Sequence, residues 1–360
     1  MSRHHKYTVL IRFSRKGSNK QLKNIDIDYP FSNNTAYKDN LIIQEKSIKL
    51  VSNRSKKNDL KNLFYDGNMT IVSQVTKALV YYYCAIGENN EISSITISRY
   101  FKELLEEKEV IKKTQISQIV TKTSDLSLFK NINKVELETI FQEDEKGHAL
   151  MFALTHLIQS FTSIKVFDKF EKSWKAFNSI YKIKEGDSRD SECLRKLRTH
   201  MISNISNYPL STNFVSNFSQ DDIFNNISWR KMILNDFPTE ANMDYFKGFI
   251  ERTSDIRLIN IINETLTIKQ THLTNRGHYN YVISHITSTI SANNRSDIEV
   301  VAFLCLRYMY YLRNKLMHAE RTDPNFHLLK DNSNEELKIK WCNNVLIRLI
   351  IDLINFNTRF

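Results

Sequence analysis

The chain has 360 residues and a formal net charge of +11, with 51 Lys and Arg against 40 Asp and Glu. It holds only 7 glycines and 4 prolines, about a quarter of average usage, which excludes collagenous and low-complexity classes and argues against turn-rich sandwiches and glycine-lined nucleotide folds. No apolar run reaches the ~18 residues a membrane span needs, so the composition points to a mainly helical, non-membrane chain with a plausible polyanionic partner.

Residues 1–60 hold 13 Lys and Arg against 5 Asp and Glu. His4-His5 read as a disordered terminus, and the short apolar stretch broken by Arg12 is no secretory signal. Tyr7, Val9, Ile11 and Phe13 then alternate with Thr8, Leu10 and Arg12, the period of a strand. Ile25, Ile27 and the β-branched residues of 41–51 extend the pattern, which predicts a basic β-rich module over 1–60. Arg12, Arg15, Lys16, Lys20 and Lys23, among Tyr7, Phe13, Tyr29 and Phe31, fit a surface that grips RNA by phosphate contact and stacking.

Residues 61–144 are expected to form a helical connector. A helix from Met69 to Ile86 carries Ile71, Val75, Ala78, Leu79 and Tyr82 on one face and stops at Gly87. Ile92, Ile95 and Ile97 fit either a short strand or a helix start, and the charged stretch Phe101 to Lys113 reads as a helix. From 145 to 360 the pattern is helical. One helix covers Ala149 to Ile164, and another covers Phe167 to Tyr181 with Phe170, Trp174, Phe177 and Ile180 in one stripe. Asn-, Ser- and Asp-rich stretches at 186–191, 204–222 and 293–296 read as loops. Cys84, Cys193, Cys305 and Cys342 are far apart with no Cys-x-x-Cys pair, as expected of buried thiols in a reducing cytoplasm.

The chemistry concentrates between Ser296 and Arg321. Ser296-x-x-Glu299 has the pattern of a capping box. Ile298, Val301, Ala302, Cys305, Met309, Leu312 and Leu316 then predict a helix of about six turns packed on a core. Arg313, Asn314 and His318 sit at its polar end. Asn314 and His318 are one turn apart, so the amide would hold the imidazole in one tautomer. An arginine beside an oriented histidine suits phosphodiester cleavage without a metal, the imidazole moving the proton and the guanidinium stabilising charge on the phosphorane. The spacing Arg-x4-His alone is expected about 0.5 times by chance in this composition, and about 0.05 times with Asn after the Arg. A second copy, Arg195…His200, lacks that polar residue and reads as an exposed basic segment.

Arg313-Asn314-Lys315-Leu316-Met317-His318 resembles the Arg-polar-x3-His signature of the HEPN superfamily. Phe170-Glu-Lys-Ser-Trp174 and the apolar Leu337 to Phe356, opened by Ser333-x-x-Glu336, are similar to flanking segments of abortive-infection-type members. The resemblance covers 145–360 and implies a C-terminal HEPN helical bundle. The implied activity is that of a homodimeric, metal-independent endoribonuclease toxin of anti-phage defence, with no cofactor, cleaving tRNA or mRNA to a cyclic phosphate. Arg313, Asn314 and His318 would be its catalytic residues, and an antitoxin or a phage component its regulator. Lys315 and Arg321 flank the motif as candidate RNA contacts. A non-catalytic HEPN binding or dimerisation module and the toxin half of a toxin–antitoxin pair remain as alternatives. His272, His278 and His285 have no Asp or Glu at ligand spacing, so no metal site is expected.

Overall fold

A computed structural model describes residues 4–30, 37–65, 69–181, 189–317 and 333–356. They divide into two compact units, one from residues 4–164 and 172–181, the other from 165–171 and 189–356.

The first unit is built on a six-stranded antiparallel sheet in the order β2-β3-β4-β1-β5-β6. Its strands are β1 (His5–Phe13), β2 (Gln21–Asp28), β3 (Lys38–Gln44), β4 (Ser47–Arg54), β5 (Ile92–Phe101) and β6 (Leu104–Lys112). β1 is central, with Val9 opposite Leu50 on one side and Ile97 on the other. The alternation read from the sequence is the alternation of burial: Tyr7, Val9, Ile11 and Phe13 are all in the core. Helix α1 (Thr70–Ile86) touches β3 and β4 on one side and α3 (Glu145–Thr162) on another. It is buried almost all round, as expected of a helix enclosed between two layers. Phe13 stacks on Tyr82 with ring centroids 3.8 Å apart. Gly87 ends α1 in the left-handed region at φ +62, its N–H donating to Tyr83 O, a conformation glycine adopts without steric cost.

Charges buried in this unit are paired. Arg54 forks the Asp39 carboxylate with two bonds of 2.7 Å. Lys77, fully buried on α1, bonds Glu143, whose second oxygen meets His148 Nε2 at 3.2 Å.

Two expectations change here, and one open reading is decided. His5 begins β1 and lies 5.4 Å from the Phe101 ring, so it is ordered. The isoleucines of 92–97 belong to a strand, and the charged stretch after Phe101 is a strand too, not a helix. Glu106 and Glu107 of β6 pair with Arg99 of β5 at 2.9 and 2.7 Å. Between the two strands Lys102 and Glu103 take φ of +47 and +67, a two-residue turn that normally advertises itself by Asn-Gly. Cross-strand pairing therefore overrides the helical propensity of a Glu- and Lys-rich run, and the charges blunt an exposed sheet edge. The 61–144 stretch thus holds α1, a short helix α2 (Lys134–Leu137) and the last two strands of the sheet.

Helix α4 (Val166–Tyr181) buries Phe170, Trp174, Phe177 and Ile180, the stripe read from the sequence. Its first turns group with the second unit and its remainder with the first.

The second unit is all helical among the described residues. It comprises α5 (Asp190–Ser203), α6 (Pro209–Val215), α7 (Gln220–Asn226), α8 (Trp229–Asp236), α9 (Met243–Glu251), α10 (Ile256–Thr265), α11 (Gln270–Asn275), α12 (Tyr279–Ala292), α13 (Asp297–Ala302), α14 (Met309–Met317) and α15 (Asn334–Phe356). The 204–222 stretch, expected as a loop, holds α6 and the start of α7. Both are only seven residues long, and partners outside the helices hold them. Asp352 of α15 accepts from Leu210 N, Ser211 N and Ser211 Oγ at 3.0, 2.8 and 2.6 Å, capping α6 behind Pro209. α15 opens with the predicted capping box: Ser333 N donates to Glu336 Oε2 at 2.7 Å and Glu336 N to Ser333 Oγ at 3.2 Å. All four cysteines are buried and unbridged, and burial pushes the Cys84 and Cys342 thiols well above their usual range. No helix among the described residues is long and apolar enough to cross a membrane.

Candidate functional site

α13, a π-helical turn at Phe303–Tyr308 and α14 follow one another without a gap, forming the long helix the sequence predicts. It runs through the core of the second unit. Ile298, Val301, Cys305 and Met309 are at most 1% exposed, and Val300 and Leu304 on other faces are equally buried. Arg307 and Tyr310 reach a cavity on one side, and the helix emerges fully at Arg313, Asn314, Lys315 and Leu316, each half-buried. The motif therefore sits where the central helix leaves the core. Arg313 Nη1 donates to Asn314 Oδ1 at 2.9 Å, while Arg313 Nε is buried without a hydrogen-bond partner. His318 and Arg321 lie outside the described residues. Within them, the amide oxygen of Asn314 orients the guanidinium of Arg313.

A polar network holds the other end of this helix. Glu299 does not close a capping box with Ser296, as the spacing suggested. Its Oε2 instead accepts from Ser254 N, Ser254 Oγ and Asp255 N at 2.9, 2.9 and 2.6 Å, and its Oε1 from Arg198 Nη2 at 3.2 Å. The S-x-x-E pattern serves tertiary clamping because the α9–α10 loop brings two backbone donors to the carboxylate. Asp255 in turn is forked by Arg257 at 3.0 and 2.8 Å, and Ser296 N donates to it at 2.7 Å. The same Nη2 of Arg257 that bonds Asp255 also donates to Asp297 Oδ1 at 2.9 Å. Buried charges are satisfied on every side, as stability requires.

Two concavities flank the emerging helix end. The larger, about 780 Å³, has four arginines in its wall, Arg195, Arg198, Arg252 and Arg307, against the carboxylates of Asp236 and Glu299. Asn314 lines it as well. The smaller, about 380 Å³, includes Lys231, Lys315 and Lys338. The surroundings of Arg313 and Asn314 are thus basic on both sides, which suits a polyanion.

The basic block of the first unit divides differently from the expectation. Tyr7 and Phe13 are buried in the core, and Tyr29 lies half-buried under the Arg54 guanidinium at 4.8 Å. These rings offer no stacking surface, because the strand period that marked them also turns them inward. Phe31 lies outside the described residues. Arg15 faces Glu88 at 3.5 Å and Lys23 bonds Glu138 at 2.6 Å. Arg12, Lys16 and Lys20 are exposed.

Other histidines resolve into structural roles. His200 Nδ1 bonds Tyr208 Oη at 2.8 Å, whereas Arg195 of the same segment lines the large cavity. His278 Nε2 meets Asp244 Oδ1 at 2.6 Å, a carboxylate the local spacing could not show. No group of three or more His, Cys, Asp or Glu able to hold a metal occurs among the described residues.

The arginine-lined cavity was missed in the sequence, since its cations come from three separate elements, α5, the end of α9 and the π-helical turn, that share no motif. One signal was present. Glu299, Ala302, Phe303, Leu306, Arg307, Tyr310, Tyr311 and Asn314 all line the cavity and recur at helical spacing, a second stripe beside the apolar one. Compared with protein-family models, curated proteins and solved structures, the chain gives no match in any of the three.

Proposed function

We propose that this chain is a HEPN-type endoribonuclease of bacterial anti-phage defence, cutting tRNA or another RNA through a composite Arg/His site in a homodimer. The observation that carries the reading is the Arg313–Asn314 pair at 2.9 Å. It stands at the point where the central helix emerges, between two concavities rich in Arg and Lys. A guanidinium oriented by an amide is prepared for a non-bridging phosphate oxygen.

In the proposed reaction the ribose 2′-oxygen attacks the adjacent phosphorus as its proton passes to a base. The bond from phosphorus to the 5′-oxygen breaks, and that oxygen takes up a proton. The products are a 2′,3′-cyclic phosphate and a 5′-hydroxyl. His318 would move the proton and Arg313 would stabilise charge on the phosphorane oxygens, effects worth about 10²–10⁴ and 10²–10³ in rate. Lys315 and Arg321 would hold flanking phosphates, and Arg12, Arg15 and Lys16 would add phosphate contacts without stacking. An antitoxin or a phage component would keep the nuclease silent or release it, in the cytoplasm of the host.

The test compares wild type with Arg313→Ala and His318→Ala on total RNA and purified tRNA in EDTA. Cleavage by wild type alone, leaving cyclic-phosphate ends, supports the reading. An inert wild type is followed by expression in cells: growth arrest that depends on His318 also supports it. No arrest in any variant refutes it and leaves a non-catalytic helical module.

A further inference from the structure

We infer that the large cavity of the second unit binds an amphipathic anion, with an acyl or aryl body inside and one carboxylate or phosphate group at the rim. Its volume, about 780 Å³, lies within the roughly 300–1,000 Å³ of small-molecule sites, which are mostly apolar with a few placed polar groups.

The depth of the cavity is hydrocarbon. Leu194, Phe237, Phe249, Leu258, Phe303 and Leu306 line it, each at most 8% exposed. Asp236, Glu299 and Thr253, set among them, are engaged by the protein itself. Asp236 accepts from Arg307 Nη2 at 2.7 Å, and Glu299 accepts from Arg198 Nη2 at 3.2 Å and from Ser254 N and Asp255 N. Thr253 Oγ1 donates to Phe249 O at 3.0 Å. The Arg307 guanidinium lies 4.9 Å from the Phe237 centroid and 4.6 Å from that of Phe249, and its Nε is a leftover buried donor. A sugar or a base edge must replace the hydrogen bonds it leaves behind in water, and finds few partners here. A hydrocarbon body leaves none behind and gains by burial.

The rim is the opposite. Arg195 and Arg252 are exposed there, and neither makes an ion pair among the described residues. Burial lowers the proton affinity of Arg198 and Arg307, their carboxylates raise it, and the Arg252 charge lowers both again. Arg252 is therefore an uncompensated charge that two other guanidiniums feel, and an anion beside it relieves the repulsion. Carboxylate and phosphate oxygens both match the guanidinium fork. An apolar depth closed by unpaired arginines thus selects a ligand that has both parts.

The test is isothermal titration of the full chain with hexanoate, octanoate, decanoate and decyl phosphate, with decanol and adenosine 5′-monophosphate as controls. Decanoate and decyl phosphate are expected to bind, and affinity to rise about threefold to fourfold per added methylene. Decanol, which lacks the charge, should bind about 10-fold more weakly than decanoate. Arg195→Ala and Arg252→Ala should each weaken decanoate by a similar factor, about 10-fold. Both side chains are exposed, so the melting temperature of either variant should match wild type. Preference for decanoate or for decyl phosphate assigns the head group, and either one supports the site. Absence of binding at millimolar concentration overturns the inference, as does affinity that ignores chain length or survives both arginine substitutions. Tighter binding of the monophosphate than of any chain overturns it too. None of these readouts involves cleavage. A chain that cuts RNA and binds no amphipathic anion loses this site alone, and one that binds them and never cuts loses only the nuclease reading.

Discussion

Glu299 holds the buried end of the helix that presents Arg313 and Asn314, and its removal gives the sharpest test of the fold around the site. It is 5% exposed. Oε2 accepts three bonds, from Ser254 N, Ser254 Oγ and Asp255 N, and Oε1 faces Arg198. Glu299→Gln keeps the shape and the three acceptor bonds but removes their charge. Bonds to a charged acceptor exceed neutral ones by about 1 kcal/mol each, so three of them put the loss near 3 kcal/mol. In addition, the amide NH₂ then confronts the Arg198 guanidinium. Glu299→Ala leaves the Asp255 and Ser254 N–H groups without their acceptor, at about 1–3 kcal/mol each, raising the total to about 5 kcal/mol. Urea denaturation followed by tryptophan fluorescence and circular dichroism reads these differences. Hydrogen exchange reports locally on the amides of Ser254 and Asp255, which should lose protection first. A Glu299→Gln chain within about 0.5 kcal/mol of wild type, the scatter of ordinary surface changes, would refute the clamp. So would unchanged protection at those two amides.

Four further outcomes follow from the same geometry. Burial raises the Asp352 carboxyl from 3.8 to about 6 against the opposing bonds from Ser211 and Leu210. A folded pKa above the unfolded one makes stability fall as pH rises from about 4 to about 6, by up to about 3 kcal/mol at 1.36 kcal/mol per unit, and stay level above that. The difference between wild type and Asp352→Asn in urea titrations from pH 4 to 7.5 isolates this slope; no difference in slope would refute the assignment. Gly147→Ala on α3 would place a Cβ 2.3 Å from Gln142 O and 2.8 Å from Thr139 O. That clash with backbone outweighs the ~1 kcal/mol gained in helix propensity, leaving a loss of about 2–3 kcal/mol by urea denaturation. Lys102→Asn with Glu103→Gly relieves two left-handed non-glycine residues and should stabilise the first unit by about 1 kcal/mol. Arg12→Ala with Lys16→Ala should flatten the plot of log affinity against log salt for single-stranded RNA by about 1.4, two phosphate contacts' worth.

Much of the fold was legible where local pattern and tertiary environment agree. β1 alternates because one face is core. α1 ends where Gly87 supplies a left-handed cap, and the Ser333–Glu336 box opens α15 with both expected bonds. The failures share a cause: partners distant in sequence. β6 reads as a helix until Arg99 supplies its cross-strand charge, and α6 reads as a loop until Asp352, 141 residues after Ser211, caps it. Glu299 keeps the local signature of a cap while serving a loop more than 40 residues away. The rings among the basic residues of the first unit were visible, but the same alternation that revealed the strand buries them.

The cavity-facing stripe of the central helix ends at Asn314, the residue that also holds Arg313. Arg307, Tyr310, Tyr311 and Asn314 stand at i, i+3, i+4 and i+7, so all four face the arginine-lined cavity. Asn314 simultaneously accepts from Arg313 at 2.9 Å. A ligand in the cavity and a phosphate on Arg313 would therefore meet across one side chain. Two substitutions separate the roles. Asn314→Ala removes the acceptor, releases Arg313 and leaves the cavity charge untouched, so RNA cleavage should fall about 10-fold or more with RNA affinity nearly intact. Asn314→Asp keeps an acceptor for Arg313 but brings a negative charge to the cavity wall. RNA affinity should then drop several-fold at low salt and recover partly as salt screens the repulsion. Single-turnover cleavage and titration with a cleavage-resistant 2′-O-methyl RNA on the same preparations read both effects. If the two variants lose cleavage and binding in the same proportion, Asn314 is merely structural at the helix end, and the coupling argued from the shared stripe is wrong.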